Sequence, residues 1–476
     1  MKLSRVTVLI GLLIVLCVGT YSPAQTSTPQ APAKSTAVDI QALDKFIAGE
    51  LKSRGLVGLS AAVMIDGKIV LAKGYGQGVI GGAAATAETP FAIGSITKQF
   101  TCACILKLTE AGKLDVTDKV ARYYPGLTRA GDITLLDLMN HVSGYHDYYP
   151  LDFVDRPMMK AIDADELIRR FAGRPLDFEP GSRYSYSNTG FVILGRIVER
   201  VSGQPFSRFL QDQILAPIGL KHTYYEPNAD QPGLAQGYTT FALTGPDKTV
   251  PEAKHWIAAA GAIYSTGSDL AAWDLALMTG KVLKPASYAL MTQTRLLTDG
   301  RISWYGCGLS VAYRNGRQVF SHGGAVAGFV ASNTAVPSTR SAAVLLSNLD
   351  SGEVSGIYGK LVEAILPVPA VNAPVIAGPP AVEAHKLMLA AYQAGKVDRA
   401  LLGEEFNWWL TDAKLQAASL KLKPYGEPTK ADLESQNERG GMEVSVVRFT
   451  FASGVLRGLM YRTPDGKIQQ FFVSKV

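Results

Sequence analysis

Cysteine is scarce, with four in 476 residues. Cys17 sits in an apolar N-terminal run, and Cys102, Cys104 and Cys307 are too few for a disulfide framework, which a chain this long does not need. Cys102 and Cys104 lie two apart in a helical stretch and so face different sides, and the spacing suits no zinc site. All three read as small buried hydrophobes. Charged residues make up only 18 %, with 47 Lys and Arg against 41 Asp and Glu. No basic block or arginine-rich stripe exists to hold a nucleic acid. No serine lies in G-x-S-x-G, which argues against the α/β-hydrolase nucleophile turn, and H-E-x-x-H is absent, which removes the common zinc-peptidase signature. There is no internal repeat and no second apolar run long enough to span a bilayer.

What is present is a globular composition, 47 % hydrophobic and 9 % aromatic, long enough for two or three compact units. Lys2 and Arg5 precede an apolar run from Val6 to Val18, and Ser22-Pro23-Ala24 follows with small residues. This pattern predicts a signal peptide over residues 1–24 and a secreted or periplasmic protein with no stable membrane span after processing. An uncleaved N-terminal anchor is the alternative. The bulky Leu16 before Cys17 disfavours lipid attachment. Residues 25–37 read as a polar, flexible spacer.

Helical spacing over Val38–Ser53 leads into two strand-like runs, Val57–Ile65 and Ile69–Tyr75, joined by Asp66-Gly67, a strong hairpin signal. Gly76–Gly81 matches G-x-G-x-x-G but runs on into alanines and threonines, so it reads as a glycine-rich loop. Thr97–Leu108 is mostly apolar, as a buried helix is. Short helices and loops fill the stretch from Asp115 to about Ser338. Near its end and beyond, strands are expected over Val311–Phe320, Phe329–Ala335 and Ala342–Asn348, with a helix near Ile357–Leu366. The order implies one α/β (α+β) domain over residues 38–366, its sheet built from both ends with a helical insertion between. A Pro-rich linker over 367–380 and a small α+β domain over 381–476 complete the chain. In the latter, helices are expected over Val382–Gln393 and Thr411–Leu422, and strands over Met442–Phe451, Val455–Tyr461 and Lys467–Val473. Trp408 and Trp409 read as core or interface residues, or else as a ligand platform.

Three short motifs could carry chemistry. Ser95-Ile96-Thr97-Lys98 opens the apolar helix and puts Ser95 and Lys98 on one side, nearly one turn apart. A serine at a helix N-terminus meets free N–H groups and a favourable dipole, and a poorly solvated lysine beside it gives up its proton more readily. Taken alone, S-x-x-K is also the pattern of an N-cap serine with a surface lysine. Tyr186-Ser187-Asn188 and, much later, His322-Gly323-Gly324-Ala325 complete the set.

In this order the motifs resemble the serine β-lactamase and penicillin-binding-protein superfamily, and within it the class C-like branch of DD-peptidases, D-aminopeptidases, esterases and class C β-lactamases. Ile133–Gly144, Ile214–Thr223 and Gly261–Leu270 resemble that branch too. The resemblance implies a serine hydrolase that needs no cofactor or metal and attacks an amide or ester. Ser95 would form the acyl-enzyme, and Lys98 would accept its proton or tune Tyr186. Tyr186 would be the general base, its phenol pulled below the usual value by neighbouring cations. Asn188 would orient Lys98 and the substrate. The backbone N–H groups of Ser95 and Ala325 would form an oxyanion hole beside Gly323 and Gly324. His322 stands where β-lactamases have a lysine and would be charged part of the time near neutrality, or else is a packed residue. The substrate would be a small peptide, ester or β-lactam-like molecule, with the departure at His322 leaning away from a dedicated β-lactamase. A receptor that binds wall peptides or a protein partner without fast turnover is the rival reading. The oligomeric state is not legible. His141, His146 and Asp147 could be drawn as a metal cluster, although loop and cap roles suit them better. Tyr145, Tyr148 and Tyr149 could line a cleft wall or pack in the core.

Overall fold

The computed structural model describes residues 38–476 apart from 150, 152, 229–230, 243 and 367–373. The signal peptide, the spacer, Cys17 and the first half of the Pro-rich stretch lie outside those residues. Among the described residues, no helix is long and apolar enough to cross a membrane.

Helix α1 (Ile40–Ser53) starts where the Asp39 carboxylate accepts the Ala42 N–H at 2.9 Å. Strands β1 (Gly58–Ile65) and β2 (Lys68–Gly76) form the expected hairpin, with Asp66 and Gly67 both at positive φ, 48° and 73°. That is the turn an Asp-Gly pair favours, because its twist matches the strands. Next come α2 (Thr97–Glu110), α3 (Asn188–Ser202) and α4 (Gly267–Met278), separated by shorter helices and loops. The chain then returns to the sheet with β3 (Ser310–Arg314), β4 (Arg317–Val326), β5 (Phe329–Val336) and β6 (Ser341–Ser347), and closes the unit with α5 (Ser355–Ile365).

One difference from the sequence reading bears on the site. The run Val311–Phe320 is not a single strand but a hairpin that turns at Asn315-Gly316, with φ of 51° and 72°. The His322-Gly323-Gly324-Ala325 motif therefore lies within β4 rather than ahead of a strand. The six strands are all antiparallel in the order β2-β1-β6-β5-β4-β3. Strands β1 and β6 are central and buried on both faces, which is why their sequences read as unbroken apolar runs. Leu59, Ala61, Val63 and Leu345 pack on α1 and α5, while Ala62, Met64, Val344 and Leu346 join the larger core of α2, α3 and α4.

The C-terminal unit has its own core. Helix α6 (Ala381–Ala394) packs Met388, Leu389 and Tyr392 on a second antiparallel sheet of β7 (Lys430–Arg439), β8 (Met442–Phe451), β9 (Gly454–Arg462) and β10 (Ile468–Lys475). Strand β7 escapes the sequence reading because it is a charged, exposed edge with no apolar alternation. Arg462 and Glu443, both 3 % exposed, pair inside this unit at 2.7 Å, and Arg462 also donates to the Pro379 carbonyl at 2.7 Å. Trp408 and Trp409 are not core residues: they are 78 % and 41 % exposed, on the outer side of a one-turn helix whose Phe406 fills the core instead.

A chain of hydrogen bonds ties α4, α2 and β5 together just behind the first motif. Trp273 Nε1 donates to Gln99 at 2.8 Å, Gln99 donates to Asn333 at 3.1 Å, and Asn333 donates to Asp274 at 3.0 Å. The second Asp274 oxygen is buried with no partner among the described residues, and burial pushes this carboxyl up to about 8. Its folded-state value is therefore raised above the unfolded one, so the stability tied to its proton is complete below about pH 4 and is lost as the pH climbs through about 8. The Asp274→Asn protein is expected to lose that slope and to unfold at higher urea than the parent at pH 8; parallel pH–stability curves for the two would show that Asp274 does not titrate in this window.

Candidate active site

Ser95 sits in a single 3-10 turn, Gly94–Ile96, that runs straight into α2. The turn is pinned against β4. Gly94 has φ of +50°, and a Cβ there would stand 2.8 Å from the Ala325 nitrogen. A Cβ on Gly324 would stand 2.0 Å from the Ile93 oxygen and 3.1 Å from the Ser95 nitrogen. Only glycine allows this approach, and it sets the backbones of Ser95 and Ala325 side by side.

Lys98 is fully buried on α2. Its Nζ meets three oxygens: Ser95 Oγ at 3.0 Å, Asn188 Oδ1 at 2.7 Å and the Ala260 carbonyl at 2.8 Å. The carbonyl belongs to a short helix, Ala258–Gly261, strapped to α2 by Thr101 Oγ1 donating to Ala259 at 2.6 Å. Burial pulls the Lys98 amine down to about 7. Near neutrality both protonation states are populated, and each fits the three oxygens. The ammonium donates to all three, whereas the neutral amine donates to two and offers its lone pair to the Ser95 hydroxyl.

Tyr186 and Asn188 arrive together from the loop into α3, with Asn188 as its first helical residue. The Tyr186 ring lies 4.7 Å from Lys98 Nζ and packs on His141 with centroids 4.2 Å apart and the planes tilted by 30°. Its hydroxyl is buried beside Ser95 without a hydrogen bond of ordinary geometry. Burial raises this phenol above its usual value, the reverse of the expected lowering, because desolvating a phenolate outweighs the help of Ser95. His141, a loop residue, is a buttress rather than a metal ligand: its Nδ1 accepts the Ser187 N–H at 3.0 Å, and its ring touches Tyr184, Phe191 and Tyr305 as well.

His322 is also buried, and burial lowers it to about 4, so it is neutral rather than partly charged at pH 7. Its Nδ1 faces the Gly323 carbonyl and its Nε2 faces the Tyr305 hydroxyl at 2.8 Å. That pairing fits a neutral ring that donates from Nδ1 and accepts at Nε2. The metal-cluster drawing does not hold: His141 lies under Tyr186, His146 pairs with Asp177 at 3.3 Å, and Asp147 takes N–H groups from Asn188. Of the three neighbouring tyrosines, Tyr145 and Tyr148 belong to the core, while Tyr149 lines the cavity.

The structure thus brings every residue of the three motifs to one place. Ser95, Tyr186, Asn188, His322, Gly323, Gly324 and Ala325 line a single cavity of 880 Å³, with Lys98 under its floor. Sequence reasoning missed Asp147, His141 and Tyr305 as members of the site. No spacing rule could link them, because their contacts cross between separate loops. Chemically, the arrangement can take a proton from Ser95, hold an anion against two backbone N–H groups and return a proton to a leaving group.

Comparison with known proteins places the fold among serine hydrolase relatives. A D-aminopeptidase of Brucella anthropi is 28 % identical over 336 residues, which cover 70 % of this chain and 63 % of that protein. The chain thus spans less than two thirds of that relative's length. A D-amino acid amidase from Ochrobactrum anthropi SV3 superposes with a TM-score of 0.58 at 25 % identity, covering 69 % of this chain and 98 % of the amidase. An octameric penicillin-binding protein homologue from Pyrococcus abyssi shares the fold over 92 % of this chain and 96 % of its own, at a TM-score of 0.63 and 21 % identity. The Beta-lactamase family model matches residues 43–365, more than half of the chain, and the protein is accordingly a member of the Beta-lactamase family of serine hydrolases.

Proposed function

We propose that this protein is an exported hydrolase that cleaves amides or esters of D-amino acids through an acyl-enzyme on Ser95. The observation that carries the reading is the buried Lys98 amine held 3.0 Å from Ser95 Oγ and lowered to about 7. Neutral Lys98 takes the hydroxyl proton as the Ser95 oxygen attacks the carbonyl carbon. The developing oxyanion sits against the N–H groups of Ser95 and Ala325, a pair of donors worth roughly 3 kcal/mol each when preorganised. Collapse of the tetrahedral adduct breaks the bond to the amine or alcohol, which leaves with a proton delivered through Tyr186 from Lys98. Water then repeats the sequence on the acyl-enzyme. Tyr186 serves as a protonated relay rather than a phenolate base, since burial favours its neutral form.

The charge of the cavity supports the choice of substrate. Among its described lining residues the charged side chains are Asp147 and Asp350, and none is lysine or arginine. With His322 neutral, none of these described residues offers a cation to a carboxylate, whereas a free ammonium is welcome. A D-amino-acid amide or ester fits this better than a β-lactam. The similarity to a D-aminopeptidase and to a D-amino acid amidase supports the same choice. Residues 38–366 would form the catalytic domain, and 381–476, with its separate core, a distinct small domain.

Three outcomes follow. A fluorophosphonate probe should label the wild type but not Ser95→Ala, whose kcat/KM on D-alanine p-nitroanilide should fall on the order of 10⁴-fold; equal labelling of the two would remove Ser95 from the chemistry. With Lys98 as base, kcat/KM should rise with pH through about 7, and His322→Gln should leave that limb in place. A flat profile from pH 5.5 to 8.5 counts against the lysine. Finally, Gly324→Ala should cut kcat about 10²-fold or more with KM little changed, because the new methyl pushes β4 away from Ser95; wild-type kcat would mean the strand supplies no oxyanion donor.

A further inference from the structure

We propose that Asp147 is a positioning residue for the reacting pair: its carboxylate decides which way the Asn188 amide faces, and thereby holds Lys98 on Ser95. The inference rests on the reading of Ser95 and Lys98 given above. Asp147 Oδ1 accepts the Asn188 backbone N–H at 3.0 Å and the Asn188 Nδ2 at 3.2 Å, with Nδ2 also 3.4 Å from Oδ2. A carboxylate only accepts, so it turns the amide nitrogen toward itself and the amide oxygen toward Lys98, 2.7 Å away. With the amide reversed, an NH2 group would face the lysine amine, donor against donor, and the amine would lose one of its three oxygens. Thr189 Oγ1, donating to the His146 carbonyl at 2.6 Å, keeps this segment against the start of α3, and the Tyr149 N–H, 3.3 Å from Asp147 Oδ1, steadies the carboxylate within its own loop. The carboxylate also stands at the positive end of that helix.

Asp147 also supplies the charge that the lysine senses. The titratable groups that face Lys98 are Cys102 on its own helix, His141 and Asp147 from the loop that follows the helix Leu135–Met139, Tyr186 before α3 and His322 on β4. Burial holds Cys102, Tyr186, His141 and His322 in their neutral forms. Asp147 is the carboxylate of the set and opposes the loss of the Lys98 proton.

The test uses Asp147→Asn, Asp147→Ser and Asp147→Glu in the full chain, following the rate of fluorophosphonate labelling against pH together with thermal unfolding. Serine can still cap the Asn188 N–H but carries no charge. Both neutral variants are expected to shift the rising limb to lower pH by about one unit, since the ammonium loses its counter-charge. Their plateau rates are expected to fall about 10- to 100-fold, because the amide no longer holds the lysine in line. The glutamate should keep the limb at its wild-type position. A limb and plateau unmoved in a neutral variant that unfolds at the wild-type temperature would make Asp147 a plain helix cap and overturn the proposal, as would a limb moved as far by the glutamate. Loss of the Ser95 reading would show separately, as labelling of Ser95→Ala.

Discussion

A primary amine with no access to water is the constraint around which this molecule is arranged. Burying Lys98 is unfavourable unless each hydrogen finds an acceptor, and the three acceptors come from distant parts of the chain: Ser95 on the turn before α2, Asn188 at the head of α3 and Ala260 from the strap along α2. Satisfying the lysine thus requires those three segments to meet. The same burial that makes the amine costly to keep charged brings it near neutrality, where it can exchange a proton with its neighbour. Folding and chemistry draw on one desolvation term.

The glycines of the third motif answer a different demand. Strand β4 must run against the turn that carries Ser95 closely enough that a single methyl on Gly324 would overlap the Ile93 carbonyl. The close approach is a packing fact before it is a catalytic one, and the hairpin at Asn315-Gly316 sets the register that delivers it. Behind the strand, the Trp273–Gln99–Asn333–Asp274 chain holds α2, β5 and α4 at fixed spacing. Asn333 pairs directly with His322 across the ladder, so the support reaches the cavity wall in one step.

Where sequence and structure part, burial explains the difference. The sequence reads Tyr186 as a phenol lowered by nearby cations, and His322 as either partly charged or packed; the fold raises the first and supports packing for the second. In the folded chain both are enclosed, both are neutral, and each is held by a ring from another segment, His141 beside the tyrosine and Tyr305 beside the histidine. Strand β7 leaves no mark in the sequence because an exposed edge needs no apolar face, and of the readings open for Trp408 the core one fails because Phe406 fills that place.

Local rules suffice wherever neighbours along the chain make the contact. The Asp66-Gly67 turn, the one-turn spacing of Ser95 and Lys98, the unbroken apolar run of β1 and the alternation of β8 are all visible in the letters, as is the order of the three motifs. Which atoms finally surround the lysine is another matter. Asp147 facing Asn188, His141 beneath Tyr186 and Ala260 over Lys98 are contacts between residues about 40 to 160 positions apart. They follow from how the helices and loops close around a buried charge, and a linear pattern holds no record of a dielectric that exists only once the chain has folded.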